Sequence, residues 1–166
     1  MMISEKLAAA MSTQVGREMA AGNQYLAIAT HFEREMLEKL AGFFYRQAAE
    51  EQAHAMKFVH YVTGAGGKVV LPAVEAPRHD ITSAEMAAQL SLDWENEVTR
   101  QIHGLMDQAV KENDYLAQDF LRWFINEQLE EVTTMEALLK VIQRAGPNGL
   151  LFVETYIAGR GDPHAT

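Results

Sequence analysis

The sequence predicts an all-α fold, a bundle of four long helices with up-down-down-up topology, a long crossover loop and a short fifth helix. Only 4 prolines occur in 166 residues, so long stretches contain no helix breaker. Apolar side chains recur in those stretches at helical spacing. One stretch of loop composition, residues 64–80, lies midway along the chain. We assign residues 1–145 to the bundle and residues 146–166 to a short C-terminal helix and tail.

Capping residues, glycines and prolines set the expected helix boundaries. Ser4 is a suitable N-cap for the first helix, and the glycine-rich run 64–67 ends the second because glycine adopts left-handed conformations without strain. Thr82 and Glu85 form a capping-box pattern at the start of the third helix. The expected helices cover about residues 4–34, 40–63, 82–112, 114–144 and 148–158, followed by a frayed tail over 159–166.

The length of the middle loop predicts the topology. Helices of about 25 to 30 residues are about 40 to 45 Å long. A loop of roughly 16 residues can extend about 50 Å, enough to run the whole bundle. Bundle connections normally take about 2 to 8 residues, so this loop indicates that the second and third helices are parallel and joined by a crossover.

Composition excludes several classes of function. The 14 basic and 23 acidic residues give a net charge of −9, which disfavours nucleic acid as a partner and favours cations. The absence of cysteine excludes disulfides, thiolate metal sites and iron–sulfur clusters. Residues 1–6 show no cationic segment leading into an apolar one, and no apolar run approaches membrane-spanning length, so we expect a cytoplasmic protein without a membrane partner.

One glutamate interrupts the apolar stripe of each long helix. The first of them has Met11 and Tyr25 seven residues away on either side, and the other three have similar apolar flanks. Each lies near the midpoint of its helix, so parallel or antiparallel packing brings all of them to one level of the bundle. The four are Glu18, Glu51, Glu95 and Glu131.

No lysine or arginine lies three, four or seven residues from any of these glutamates. Burying several uncompensated anions would cost far more than a domain's stability of roughly 5 to 15 kcal/mol, so the pattern predicts bound cations. His54 and Gln128 lie three residues from Glu51 and Glu131 on the same helix faces. Oxygen-rich ligation with one imidazole suits iron or manganese, and the ligand count allows two metals bridged by Glu51. A core network of protonated acids, or glutamates facing solvent, is the structural alternative.

Three segments carry a family resemblance that covers essentially the whole chain. They read QYLAIA at 24–29, EEQAHAM at 50–56 and WFINEQLEE at 123–131. With them, the chain resembles the non-haem ferritins, most closely the bacterial ferroxidase-type ones. Ferritin-like di-iron bundles carry a glutamate on each of two helices and Glu-x-x-His on the other two, close to the pattern here.

The resemblance implies a di-iron centre with defined ligands. The first iron would be held by Glu18, Glu51 and His54. The second would be held by Glu51, Glu95 and Glu131, with Gln128 beside it.

The family's third iron site would map to Glu50, Glu127 and Glu130. By spacing alone, these three residues are equally well explained as a solvated acidic face. Tyr25 would be the family's tyrosine beside the centre, where a one-electron role competes with that of a core residue. The resemblance further implies a hollow shell of twenty-four chains that stores oxidised iron as a mineral.

Two departures from the bacterioferritins bear on function. Bacterioferritins carry a second Glu-x-x-His on the fourth helix, where this chain has Gln128-x-x-Glu131. A neutral amide holds a metal less firmly than a carboxylate does, which favours release of oxidised iron into storage. Bacterioferritins also place a haem-ligating methionine directly after the bridging glutamate, where this chain has Gln52, so we expect no haem.

The leading interpretation is therefore an iron-storage protein with ferroxidase activity, which oxidises Fe(II) with O2 or peroxide. The first alternative is a di-iron redox enzyme that retains its metal and acts on a separate substrate. A purely structural bundle with an inert acidic core is the second. A DNA-coating mini-ferritin is the third, and the net charge of −9 disfavours it.

Overall fold

The structure is a computed structural model that describes residues 2–160. Within that range it contains five α-helices and no β-strand. In chain order the helices are α1 (Glu5–Arg34), α2 (Glu38–Gly64), α3 (Ala84–Lys111), α4 (Tyr115–Ala145) and α5 (Leu150–Arg160). The predicted helical fold is confirmed. The expected tail at 159–166 lies outside the described residues from 161 onward.

Side-chain caps start three of the long helices. Ser4 accepts a hydrogen bond from the Leu7 N–H, as expected, and Asp114 caps α4 in the same way. The capping-box prediction for α3 is wrong by one residue, because the N-cap is Ser83. The Thr82 hydroxyl lies 3.3 Å from the Met86 sulfur instead of accepting a backbone N–H.

Two apolar clusters at opposite ends of the bundle establish its topology. The upper cluster joins the C-terminal halves of α1 and α4 to the N-terminal halves of α2 and α3, with Phe32, Phe44 and Met135 among its members. The lower cluster joins the opposite halves of the same helices and includes Phe58 and Phe124. Helices α1 and α4 therefore run in one direction and α2 and α3 in the other, which is the predicted up-down-down-up order.

The crossover loop follows α1 from the lower cluster towards the upper one. The Val70 N–H donates to the Ser12 hydroxyl at 3.2 Å. Further along, the backbone of Arg78 makes two hydrogen bonds with the Gln24 amide, at 2.8 and 3.0 Å. Between these points the loop approaches α1 so closely that a Cβ on Gly16 would lie 2.4 Å from the ring of Pro72. A glycine is therefore required where the loop crosses the helix.

Helix α5 packs at the upper end, against α2 and α4. Its Val153 is fully buried in the upper cluster, and its Glu154 carboxylate accepts the Leu40 N–H in the first turn of α2. That helix end has no side-chain cap of its own, so α5 supplies one acceptor for it. Leu151 and Phe152 on the other face of α5 are 75% and 78% exposed. None of the helices within residues 2–160 has the length and apolar character needed to cross a membrane.

Candidate metal centre

A polar layer separates the two apolar clusters, and four carboxylates, one from each long helix, form its centre. All four side chains are buried, with exposures between 0% and 4%. They are Glu18, Glu51, Glu95 and Glu131. Their helices bring them together because each glutamate sits between residues of the upper cluster and residues of the lower one on its own helix.

A glycine allows α1 and α2 to approach at this level. A Cβ on Gly22 would lie 3.3 Å from the Glu51 Cβ and 3.2 Å from the Ala48 carbonyl oxygen. Both distances are tighter than ordinary carbon contacts, so a larger residue would push the two helices apart. The glycine therefore helps to keep Glu51 close to the carboxylate of α1.

Glutamine amides supply hydrogen bonds to three of the four carboxylates. Gln14 donates to Glu18 Oε1 and Gln47 donates to Glu131 Oε2, both at 2.8 Å. These two glutamines are not among the residues predicted from the sequence, although each lies four residues before a core glutamate, because a neutral side chain gives no sign of pairing with an acid. Gln128 donates instead to Glu95, at 3.0 Å from Oε2.

Glu95 has hydrogen bonds to both of its oxygens. Tyr25 is fully buried and its hydroxyl donates to Glu95 Oε1, opposite the Gln128 amide on Oε2. The Gln128 amide also lies 3.2 Å from the Thr99 hydroxyl. A carboxylate offers about four lone-pair sites, so these bonds orient Glu95 while leaving it acceptor capacity.

His54 is the only imidazole in the layer among the described residues. Its Nδ1 lies 3.3 Å from Glu51 Oε2, and its Nε2 lies 3.7 Å from Glu127 Oε1. The rings of Trp123 and Phe124 pack edge-on against it at centroid distances of 5.4 and 5.9 Å. The imidazole is thereby fixed between the central carboxylates and an outer one.

Burial and mutual repulsion shift the titration of the central acids. Burial raises the pKa of Glu51 well above its ordinary value of 4.5, and the neighbouring carboxylates Glu95 and Glu18 raise it further. The pKa of Glu131 is raised in the same way, by burial and by Glu95. In Glu95 burial also raises the pKa, although the hydrogen bonds from Tyr25 and Gln128 oppose the shift.

Two neutral or basic groups of the layer are affected by the same field. Burial lowers the pKa of His54, but the nearby carboxylates of Glu127, Glu18 and Glu131 outweigh it, so the net shift is upward. Burial together with Glu95 raises the pKa of Tyr25 well above 10.0. The phenol therefore stays protonated as a hydrogen-bond donor at neutral pH.

Two groups of potential metal ligands converge in the layer. Each offers three ligand atoms within 4.8 Å of one another: Glu18 with Glu51 and His54, and His54 with Glu127 and Glu131. Glu18 Oε2 is buried and, among residues 2–160, no donor reaches it. Such an oxygen is costly in a protein interior unless a cation binds it. Carboxylate oxygens with one imidazole suit Fe(II) or Mn(II).

The three outer acids are less alike than the sequence pattern suggests. Glu50 and Glu127 are half-buried and Glu130 is exposed. Of the three, Glu127 is the one that lies beside His54. Glu50 and Glu130 line a cavity of about 310 Å³ between α2, α4 and α5, together with Glu131. The structure therefore places one outer acid against the centre and two on the wall of this cavity. A third metal site formed by all three stays a prediction.

A helical bundle with one buried carboxylate per long helix defines a class of protein, the carboxylate-rich helical bundles, in which the polar layer is the candidate site for cations. Residues 8–145 match the family model described as Ferritin-like domain. Ferritin BfrB of Mycobacterium tuberculosis is 39% identical over 168 residues, spanning 96% of this chain and 92% of the relative. The bacterial non-heme ferritin of Staphylococcus aureus is 34% identical over 161 residues, spanning 96% and 97%.

Solved ferritin structures have the same fold as this chain. An open pore ferritin from the hyperthermophilic archaeon Archaeoglobus fulgidus superposes with a TM-score of 0.91 at 32% identity, covering 96% of this chain and 98% of that one. The chain therefore belongs to the ferritin family, and the family resemblance noted from the sequence is confirmed.

Proposed function

We propose that this protein stores iron and that its polar layer is a ferroxidase centre, which binds Fe(II) as substrate and oxidises it. One observation carries the proposal: four buried carboxylates meet at one level. Within residues 2–160, the hydrogen bonds that reach them come from neutral amides, a phenol and an imidazole rather than from Lys or Arg. Such a site is unfavourable until cations bind, and membership of the ferritin family supports iron as that cation.

The geometry supports distinct roles for the ligands. Glu18, Glu51 and His54 would hold the first Fe(II), because their ligand atoms already converge within 4.8 Å. Glu51 would bridge both ions, because among the described residues no glutamine amide occupies either of its oxygens. The second Fe(II) would be held by Glu51, Glu95 and Glu131, with Gln128 beside it.

The chemistry requires an electron acceptor. Two Fe(II) ions give up one electron each. O2 takes these two electrons and two protons to form H2O2, or H2O2 takes two electrons and two protons to form two water molecules. Tyr25 would hold Glu95 in place through its hydroxyl during this step. Gln128 is a weak, neutral ligand, so Fe(III) could leave the second position for the interior of the assembly.

Storage requires an enclosed space, and we propose that copies of this chain form a closed shell, of twenty-four chains by resemblance to the family. Helix α5 supports this proposal, since Leu151 and Phe152 expose apolar surface that association would bury. Deleting residues 148–166 should therefore weaken assembly or reduce iron retention. Light scattering of the native protein would contradict the shell if it showed a monomer or dimer.

The experiment that tests the reaction compares two adjacent glutamates. Stopped-flow absorbance follows Fe(III) formation after metal-free protein is mixed with Fe(II) and O2. Glu51→Ala should abolish the fast phase, whereas Glu50→Ala should retain it because Glu50 lies on the cavity wall. Iron retained per particle, measured afterwards, separates storage from a redox enzyme that keeps its metal. The reverse ranking of the two variants would show that the site has been assigned wrongly.

A further inference from the structure

Two buried glutamines of the polar layer have no part in the proposed ligand set. Gln14 is 0% exposed and Gln47 is 6% exposed. A buried amide is costly unless it is hydrogen-bonded, so its partners define its purpose. The partners here are Glu18 Oε1 and Glu131 Oε2, each at 2.8 Å.

We infer that Gln14 and Gln47 are positioning residues, each of which fixes the carboxylate of one metal ligand; the inference rests on the proposed function. Gln14 occupies Oε1 of Glu18 and leaves the buried Oε2 without a donor, ready for a cation. A lysine or arginine at either position would also orient the carboxylate, but it would cancel the charge that attracts the metal. A neutral amide orients the ligand and leaves its charge in place.

The orientation of the Gln14 amide is itself fixed from outside the layer. Its Oε1 faces the Arg17 guanidinium at 3.4 Å, and its Nε2 lies 3.2 Å from Gln101 Oε1. Gln101 in turn donates to Glu97 on the surface of α3, also at 3.2 Å. Because an arginine can only donate, the oxygen of Gln14 must point towards Arg17 and the NH2 group towards Glu18.

The two glutamines act on different groups of ligands. Glu18 converges with Glu51 and His54 in the proposed first metal position. Glu131 is instead a proposed ligand of the second metal, with Glu51 and Glu95. Loss of Gln14 should therefore weaken one metal position, and loss of Gln47 should weaken the other. A general loss of stability would weaken both metal positions alike. Weakening of a different position in each variant therefore distinguishes a positioning role from a purely structural one.

Co(II) titration of the metal-free, assembled protein tests this, since bound Co(II) reports its affinity and geometry through visible absorption. The variants are Gln14→Met and Gln47→Met, in which methionine keeps the length of the side chain and removes the donor. The matched control is Gln89→Met on the exposed face of α3. Gln89 donates a 2.8 Å hydrogen bond to Asp93, four residues later, as Gln14 does to Glu18. Melting temperature and particle mass establish that each variant is folded.

We expect two Co(II) ions per wild-type chain. Gln14→Met should weaken one of them by about 10- to 100-fold and change its spectrum, Gln47→Met should do the same to the other, and Gln89→Met should match wild type. Since the two variants test separate glutamines, either one suffices if the other does not fold. Folded variants with wild-type Co(II) affinities and spectra would overturn this inference but not the proposed function. Equal loss of affinity for both Co(II) ions, or the same loss in Gln89→Met, would also overturn it. A wild-type protein that bound no Co(II) would overturn the proposed function itself.

Discussion

Replacing Glu51 with glutamine should make the metal-free protein more stable while it removes activity. Glu51 is 1% exposed and lies in the field of Glu95 and Glu18, which together with burial hold its pKa well above 4.5. Between pH 4.5 and this raised pKa, the folded protein therefore keeps a proton on Glu51 that the unfolded chain has released. The stability linked to this proton is fully present below pH 4.5 and is lost as the pH rises from 4.5 through the raised pKa of the folded state.

The size of the effect follows from the pH. Each pH unit above the unfolded pKa costs about 1.4 kcal/mol for a carboxyl that stays protonated, so the cost at pH 7 reaches at most about 3.4 kcal/mol. Glutamine has the same shape and no titration, so Glu51→Gln removes this cost. For a chain of this size a gain of about 3 kcal/mol corresponds to about 6 to 12 °C in melting temperature.

Calorimetry of EDTA-treated protein at pH 5 and pH 7 measures the difference. Glu51→Gln should melt above wild type at pH 7, and the gap should shrink at pH 5. Glu136→Gln, on the exposed face of α4, controls for the change in net charge. A divalent metal at 1,000 times its Kd should reverse the ranking, because only wild type binds it and the bound metal adds about 4.1 kcal/mol. A melting temperature that falls in Glu51→Gln, or that rises equally at both pH values, would refute the electrostatic argument.

Three further predictions use other parts of the structure. In metal-free protein, Glu131→Leu removes a repelling carboxylate, which should raise the free energy of unfolding by about 1 to 4 kcal/mol. It also leaves the Gln47 amide without its hydrogen-bond acceptor, which costs about 1 to 3 kcal/mol. Calorimetry should therefore show a smaller gain in stability than for Glu131→Leu combined with Gln47→Leu. Gln128→Glu with Glu131→His should hold iron longer and slow repeated turnover, measured as oxygen uptake over successive Fe(II) additions. Gly16→Ala should lower the melting temperature, because its Cβ would lie 2.4 Å from the Pro72 ring and overpacking costs about 1 to 3 kcal/mol.

The fold could be predicted from the sequence because helix breakers and apolar periodicity mark its elements directly. The crossover was predictable from loop length alone, and the two apolar clusters confirm its direction. The exact start of α3 was not predictable from the sequence, because Thr82 and Ser83 are both good N-cap residues. The choice depends on which hydroxyl accepts the Met86 N–H. The packing of the loop on Gly16 also depends on contacts between distant residues, which periodicity does not report.

The candidate site was predictable in its ligands and less so in its surroundings. A carboxylate on an apolar stripe is visible in sequence, so Glu18 and the three others could be placed at one level. The donors Gln14 and Gln47 lie on the same stripes, but glutamine has no charge to mark it as a partner. Glu127 lies four residues before Glu131, and only the structure shows that it reaches His54 at 3.7 Å.

The arrangement of the core explains how the bundle tolerates an unfavourable centre. The apolar side chains form two clusters, one at each end, so each half of the bundle has a core of its own. Burial of apolar surface contributes about 25 cal/mol per Å², and one fully buried phenylalanine such as Phe44 or Phe58 contributes about 1.5 to 3 kcal/mol. A few such residues at each end offset the cost of the protonated carboxyls between them. The repulsion that remains in the metal-free layer is then a driving force for cation binding, and it need not be removed for the protein to fold.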